Sequence, residues 1–353
     1  MNNSWKSRVS KGFTTAIGSL PHADVDSALQ FSFRLKIPFL PQIPIRNDRE
    51  FMVHQALEGL PGIKSGKSGE VSFEFDQWEK GRQRLRELTD QAFQDSQPTA
   101  FESFEPMPQS WSCWKPFLWE LEERETKVAK IQIAGPLTCQ WALKIADSEV
   151  RAEVRMQIFR FTLAKSIAML RRIQESGAFP VLFIDEPGLY GFSISNPNHR
   201  IGLEELKIFI QTLKKENAAI GIHCCSNTDW ESLLQLPIDI LSIDTGLSLS
   251  HLLKHRETVS KYLARGGTLS LGVIPTGEGF EEGMELSVAE VIEGLTTQLN
   301  TALGETLGAK VLNEALITPA CGLALQSVEE AEKILTRTRQ VGEAIRTTVG
   351  PAA

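Results

Sequence analysis

Eight short apolar runs, separated by longer stretches of helical periodicity, constrain this chain more than any single motif does. The runs lie at 13–17, 38–40, 130–134, 181–184, 218–223, 238–243, 268–273 and 315–317, and each reads as a strand. Between them helices are predicted over about 24–35, 148–175, 203–216, 249–264 and 288–303. The longest is stopped by Gly177 and Pro180. A last helix opens with Ser327-Val328-Glu329-Glu330, a capping box, and carries an apolar stripe at helical spacing through Ala331, Leu335, Val341 and Ile345. Strand–helix alternation implies a mainly parallel sheet. About eight such units fit a closed (β/α)8 TIM barrel of the α/β class better than an open sheet, and a barrel can hold 353 residues as one domain. Residues 60–128 break the rhythm with Gly62, Gly66, Gly69, the run 71–75, a charged helical stretch and the aromatics Trp111, Trp114, Phe117 and Trp119. They read as an insertion between early strands, a hairpin plus helices, serving as a lid or as packing.

A closed barrel of this kind carries its active site at the C-terminal strand ends, and the unusual polar residues of the sequence stand at such ends. On a strand, residues two apart face the same side. His223 and Cys225 therefore point together at the end of one run, and Cys224 points away. Another run ends in Ala320-Cys321-Gly322, and a third in Asp244. An imidazole, two thiols and a carboxylate at three strand ends make a tetrahedral zinc site from His223, Cys225, Asp244 and Cys321, and thiolates favour zinc over magnesium or calcium. Asp185-Glu186-Pro187 places two acids at a fourth end. One is expected to cap a helix, and the other to bind an ammonium group or handle a proton. Ile17-Gly18-Ser19 ends the first run either as a plain turn or as backbone N–H groups and a hydroxyl that grip a carboxylate. Gly135-Pro136 ends another as a turn or as a ligand contact. Ser65-Gly66-Lys67-Ser68-Gly69 has a phosphate-loop flavour, but its first glycine is out of place and no strand precedes it, so a loop is expected.

Composition narrows the partners. A net charge of −7 argues against nucleic acid, which wants clustered Lys and Arg. No apolar run is long enough to span a bilayer, and the polar start, Met1 to Lys6, lacks the core of a signal peptide. Five cysteines, an odd count in a large chain, do not suggest a disulfide framework. A cytoplasmic setting, where thiols stay reduced and free to ligate metal, follows.

In this order the motifs resemble the C-terminal catalytic barrel of the cobalamin-independent methionine synthase family, within a superfamily that includes uroporphyrinogen decarboxylases and corrinoid-dependent methyltransferases. The likeness runs from Ile17-Gly18-Ser19 through Arg46-Asn47-Asp48, Gly135-Pro136-x-Thr138, Asp185-Glu186-Pro187 and His223-x-Cys225 to Cys321-Gly322-Leu323. It implies a zinc ion held by His223, Cys225 and Cys321 that binds a homocysteine-like thiol for attack on a methyl group. It implies too that Ile17, Gly18 and Ser19 hold an amino-acid carboxylate and that Asp185 meets the ammonium. The chain departs from the family in three places. Asp244 stands where the family has a glutamate ligand, Ile43 where it has a second amino-acid-binding acid, and Gly277 near its histidine. The N-terminal half of the full-length synthase has no counterpart here. The expected methyl donor is therefore a corrinoid protein or a folate, and the expected acceptor a small-molecule thiol. Two other readings compete. One is a uroporphyrinogen-decarboxylase-like lyase using Arg46, Arg49 and Asp185. The other is a non-catalytic barrel with structural zinc.

Overall fold

The computed structural model describes residues 5–9, 12–95, 97–277 and 280–348. Residues 1–4, part of the polar start on which the expectation of no signal peptide rests, lie outside them. A hairpin comes first, with β1 (Ile63–Ser65) and β2 (Val71–Phe73) pairing antiparallel. Six parallel strands follow: β3 (Val128–Ala134), β4 (Phe179–Asp185), β5 (Ala219–Cys224), β6 (Ile240–Asp244), β7 (Thr268–Ile274) and β8 (Leu316–Pro319). They neighbour one another in chain order and form a curled half-barrel. Their residues are buried almost without exception. A parallel strand covered on both faces must be apolar throughout, which is why these segments read as continuous runs. The helices Ser148–Glu175, Pro197–Leu213 and Val288–Leu303 lie in crossovers between them. Asp147 starts the first by accepting from the N–H groups of Glu149 and Val150, and Ser287 and Glu290 cap the third reciprocally. The final helix, Val328–Thr348, opens on the expected box, with Ser327 and Glu330 exchanging hydrogen bonds. No helix among the described residues is long and apolar enough to cross a membrane.

The first two predicted strands form no regular ladder. Segments 13–19 and 37–42 lie between β8 and β3 and touch them through single bridges, Thr14 to Ile317 and Phe39 to Lys130. Thr15 N–H donates to Ile317 O (3.1 Å) and Leu40 N–H to Lys130 O (2.9 Å), while Gln42 N–H donates to Gly18 O (3.0 Å). Two causes break the ladder. Pro38 and Pro41 have no N–H to give. Side chains of β3 also take carbonyls that a neighbouring strand would use: Lys130 Nζ donates to Ile17 O, and Gln132 Nε2 to Leu40 O. A second difference lies at 249–264, where two short helices, Ser250–Leu253 and Arg256–Ala264, replace the expected one. His255 between them has φ −89° and ψ 45°, outside the helical well.

Residues 60–128 contain the hairpin, the helix Phe75–Gln94 and the helix Trp114–Glu123. The Lys67–Gly69 stretch is the hairpin loop, with Ser68 at φ 54°. Trp78, Trp111, Trp114 and Phe117 are fully buried in the same apolar core as Ile131 and Leu182 of the sheet. Packing is therefore what these aromatics do; Trp119 alone among those predicted stays exposed. The segment is also tied to the short helix Met52–Leu57, since Trp111 Nε1 donates to Gln55 O (3.2 Å) and Gln55 Nε2 to Ser110 O (2.6 Å).

Candidate metal centre

The ladder registers bring unlike residues into one row. Asp185 of β4 pairs with His223 of β5, and His223 with Ser242 of β6. Paired residues of parallel neighbours project to the same side, so a carboxylate, an imidazole and a hydroxyl stand together at the C-terminal ends. Just past β5, Cys225 turns to the same side as His223. Cys224, one residue earlier, is buried in the apolar core, where its thiol donates to Ser226 O (3.3 Å). Cys321 arrives on the loop after β8.

The donor atoms of His223, Cys225 and Cys321 all lie within 4.8 Å of one another. Zinc bonds of about 2.0 Å to nitrogen and 2.3 Å to sulfur set ligand–ligand separations of roughly 3.5–3.8 Å in a tetrahedron, so small side-chain adjustments bring all three to one centre. His223 Nδ1 lies 3.0 Å from Ser242 Oγ, while Nε2 is buried with no hydrogen-bond partner. With Nδ1 donating to the serine, Nε2 presents its lone pair toward the sulfurs, the arrangement by which outer partners orient a histidine ligand. A hydrogen bond from Cys321 favours the anion at Cys225, and Cys321, which supplies that bond, is pushed up. Burial drives Cys224 the other way, to about 12. Two thiols, one of them eased toward its anion, beside an unpartnered imidazole nitrogen fit a zinc ion.

The two acids of Asp185-Glu186 divide their work. Glu186 is fully buried and accepts from Leu137 N–H (3.0 Å), Thr138 N–H (2.7 Å) and Thr138 Oγ1 (2.6 Å), capping the helix Pro136–Ala142. Gly135 permits this because a β-carbon there would collide with the Glu186 carboxyl. Desolvation outweighs those bonds and raises Glu186 to about 7. Asp185 Oδ1 is buried without a partner, and desolvation raises Asp185 to about 6 against the pull of Lys130 and His223.

Asp185 and the three metal donors line a cavity of about 260 Å³ together with Ile17 and Ser19. Gly18 sits behind that wall, where a β-carbon would lie 2.6 Å from the Gln132 side chain. Asp244 ends β6 as expected, but its Oδ1 accepts from Leu247 N–H (3.1 Å), and it is not in the three-donor group. Arg46 and Arg49 are exposed and do not line the cavity; Arg49 borders a larger one, about 590 Å³, beside His54 and Lys64. Gly277 is exposed beyond β7, and Ile43 is buried with its N–H on Glu50 Oε2 (2.9 Å).

Sequence reasoning missed Lys130, Ser242 and Glu50. Lys130 is fully buried, bonded to Ile17 O and Gln132 Oε1, with its ammonium 4.7 Å from the centre of the Phe183 ring. Burial lowers it to about 7. Two polar residues spaced by two inside the apolar run 130–134 are the signal that finds Lys130 and Gln132. Glu50 lines the cavity and is held by Ile43 and by Ser112 of the 60–128 segment; no motif marks it.

No protein-family model matches the chain, and no curated protein sequence does. Solved structures do resemble it. A methyltransferase from Methanosarcina mazei is 14% identical with a TM-score of 0.52, over 94% of this chain and 93% of its own. A B12-independent methionine synthase from a Shewanella species, in complex with selenomethionine, is 16% identical with a TM-score of 0.47, over 66% and 67%. A putative vitamin-B12 independent methionine synthase from Listeria monocytogenes is 14% identical with a TM-score of 0.45, over 83% and 93%. At such identities the likeness is one of fold.

Proposed function

We propose that this protein is a zinc-dependent methyltransferase acting on a thiol, built as a single (β/α)8 barrel domain of residues 1–353 with 60–128 inserted. The barrel reading is supported by segments 13–19 and 37–42, which touch the sheet's two edges through single bridges and lie where two further strands would close it. The likeness to a protein named a methyltransferase supports the reaction class. The observation that carries the zinc reading is the convergence of two thiols on an imidazole nitrogen with no other partner.

Zinc bound by His223, Cys225 and Cys321 would hold the acceptor sulfur as a thiolate at neutral pH. Asp244, whose Oδ1 now accepts from Leu247 N–H, would be the fourth ligand. The remaining work falls to the chain. Ser242 fixes the imidazole, and Ile17 and Ser19 in the wall, with Gly18 behind them, position the acceptor. Asp185 offers an uncommitted oxygen to the proton leaving the thiol or to a cationic group beside it. The acceptor sulfur's lone pair then forms the new S–C bond as the bond between methyl and donor breaks, its electron pair leaving with the donor. A methylated corrinoid protein or a folate is the proposed donor, and the cytoplasm the proposed setting. Elemental analysis should find about one zinc per chain. Methylcobalamin or methyltetrahydrofolate, offered with a panel of thiols, should yield a methyl thioether detectable by mass spectrometry. Protein that holds no zinc after reconstitution sinks the proposal.

A further inference from the structure

Resting on that thiol reading, we propose that the acceptor is a neutral thiol with a hydrocarbon body, such as an alkyl or benzyl thiol, rather than an amino acid or a sulfonate. The cavity beside the metal donors decides between these classes of thiol. Its walls beyond those donors are mostly apolar: Ile17, Pro44, Phe51, Met52, Pro187 and Leu325. The polar side chains among them are largely committed. Gln42 Nε2 donates to Gln55 Oε1 (2.5 Å). Glu50 has one oxygen on Ile43 N–H (2.9 Å) and the other on Ser112 N–H (3.2 Å) and hydroxyl. Asp185 and the Ser19 hydroxyl are left; the first is an acid and the second is neutral, so neither supplies a positive charge.

Among the described residues no Lys or Arg lines the cavity. The nearest buried cation, Lys130, is spent on Ile17 O and Gln132. A carboxylate or sulfonate entering here gains no ion pair, approaches Asp185 and the metal thiolates, and leaves its hydration behind without replacement. A hydrocarbon body loses nothing on entry and gains apolar contact with Phe51 and Met52. About 260 Å³ accommodates a group of benzyl or hexyl size.

Calorimetric titration of the zinc-loaded protein with benzyl mercaptan, homocysteine and mercaptoethanesulfonate tests this. Benzyl mercaptan should bind at least about tenfold more tightly than either of the others. Leu325, 93% exposed at the cavity mouth, can be changed without risk to the core. Leu325→Lys should improve mercaptoethanesulfonate binding by about tenfold and weaken benzyl mercaptan. Tighter binding of homocysteine or of the sulfonate by the wild type overturns the inference and leaves the zinc-thiol reading standing. A separate titration of metal-free protein with benzyl alcohol keeps the two apart. Binding of benzyl alcohol with no binding of any thiol by the zinc-loaded form removes the proposed function and retains the apolar pocket. Failure of benzyl alcohol to bind removes the pocket reading.

Discussion

Adjacent cysteines at the end of β5 should behave as opposites. Cys225→Ser removes a thiol from the three-donor group. Loss of an outer-sphere partner alone weakens metal binding by about 10–100-fold, so losing a direct ligand should weaken zinc by more than about a hundredfold, or about 3 kcal/mol. Cys224→Ser exchanges a fully buried thiol for a hydroxyl in the apolar core. Burying a hydroxyl costs roughly 1–3 kcal/mol, and the low end applies because Ser226 O, 3.3 Å from the present sulfur, can accept from it. In a chain of 353 residues 1 kcal/mol moves the melting point by about 1–2 °C. The Cys224 variant should therefore melt about 1–2 °C lower with unchanged zinc affinity. Competition against a chromophoric chelator measures the first quantity, and thermal melting of metal-free protein the second. Equal zinc loss in both variants, or loss in Cys224→Ser alone, refutes the reasoning, since the side-chain alternation at the strand end is then wrong.

Ser242→Ala should weaken zinc by about 10–100-fold without unfolding the protein, because the hydroxyl orients His223 through Nδ1; the same chelator competition reads it. Lys130→Met strands Ile17 O and Gln132 Oε1 inside the sheet and should cost about 2–4 kcal/mol, seen as a lower urea midpoint. The Glu186 carboxyl is raised from an ordinary 4.5 to about 7, so the folded state keeps a proton that the unfolded state has lost. Its contribution to stability is complete below about 4.5 and fades as pH rises through about 7, and urea midpoints across that window should fall in wild type more than in Glu186→Gln. Asp185→Asn should hold zinc normally yet show a smaller thermal shift with an amine-bearing thiol, since Asp185 lies outside the three-donor group but lines the cavity.

What the sequence made legible follows from what is local. The long helix is recovered at its observed bounds, Ser148–Glu175, because its start and stop are written in neighbouring residues. His223 and Cys225 fall together because a strand's period is two, and that needs no knowledge of the partner strands. The division between Asp185 and Glu186 was also foreseeable in kind, one acid for a cap and one for the cavity. The failures are non-local. Segments 13–17 and 38–40 look like strands, yet their ladders are interrupted by prolines and by Lys130 and Gln132 reaching in from β3. Ser242 becomes part of the site only through its pairing with His223, and Glu50 only because Ile43 and Ser112 turn it inward. A single polar residue with no motif around it carries its meaning in topology.

That distinction bears on what the row of buried titratable groups is for. Lys130, Glu50 and Glu186 are each satisfied by the protein, the first by a carbonyl and an amide, the others by backbone N–H groups and hydroxyls. Asp185 Oδ1 and His223 Nε2 are not. A buried polar atom without a partner costs about 1–3 kcal/mol, and a fold that closes Lys130, Glu50 and Glu186 has the means to close these two. Both residues line the same cavity, beside two thiols and against apolar walls. On the proposed function the unsatisfied pair would be binding capacity, the imidazole for a metal and the carboxylate for what the metal brings in.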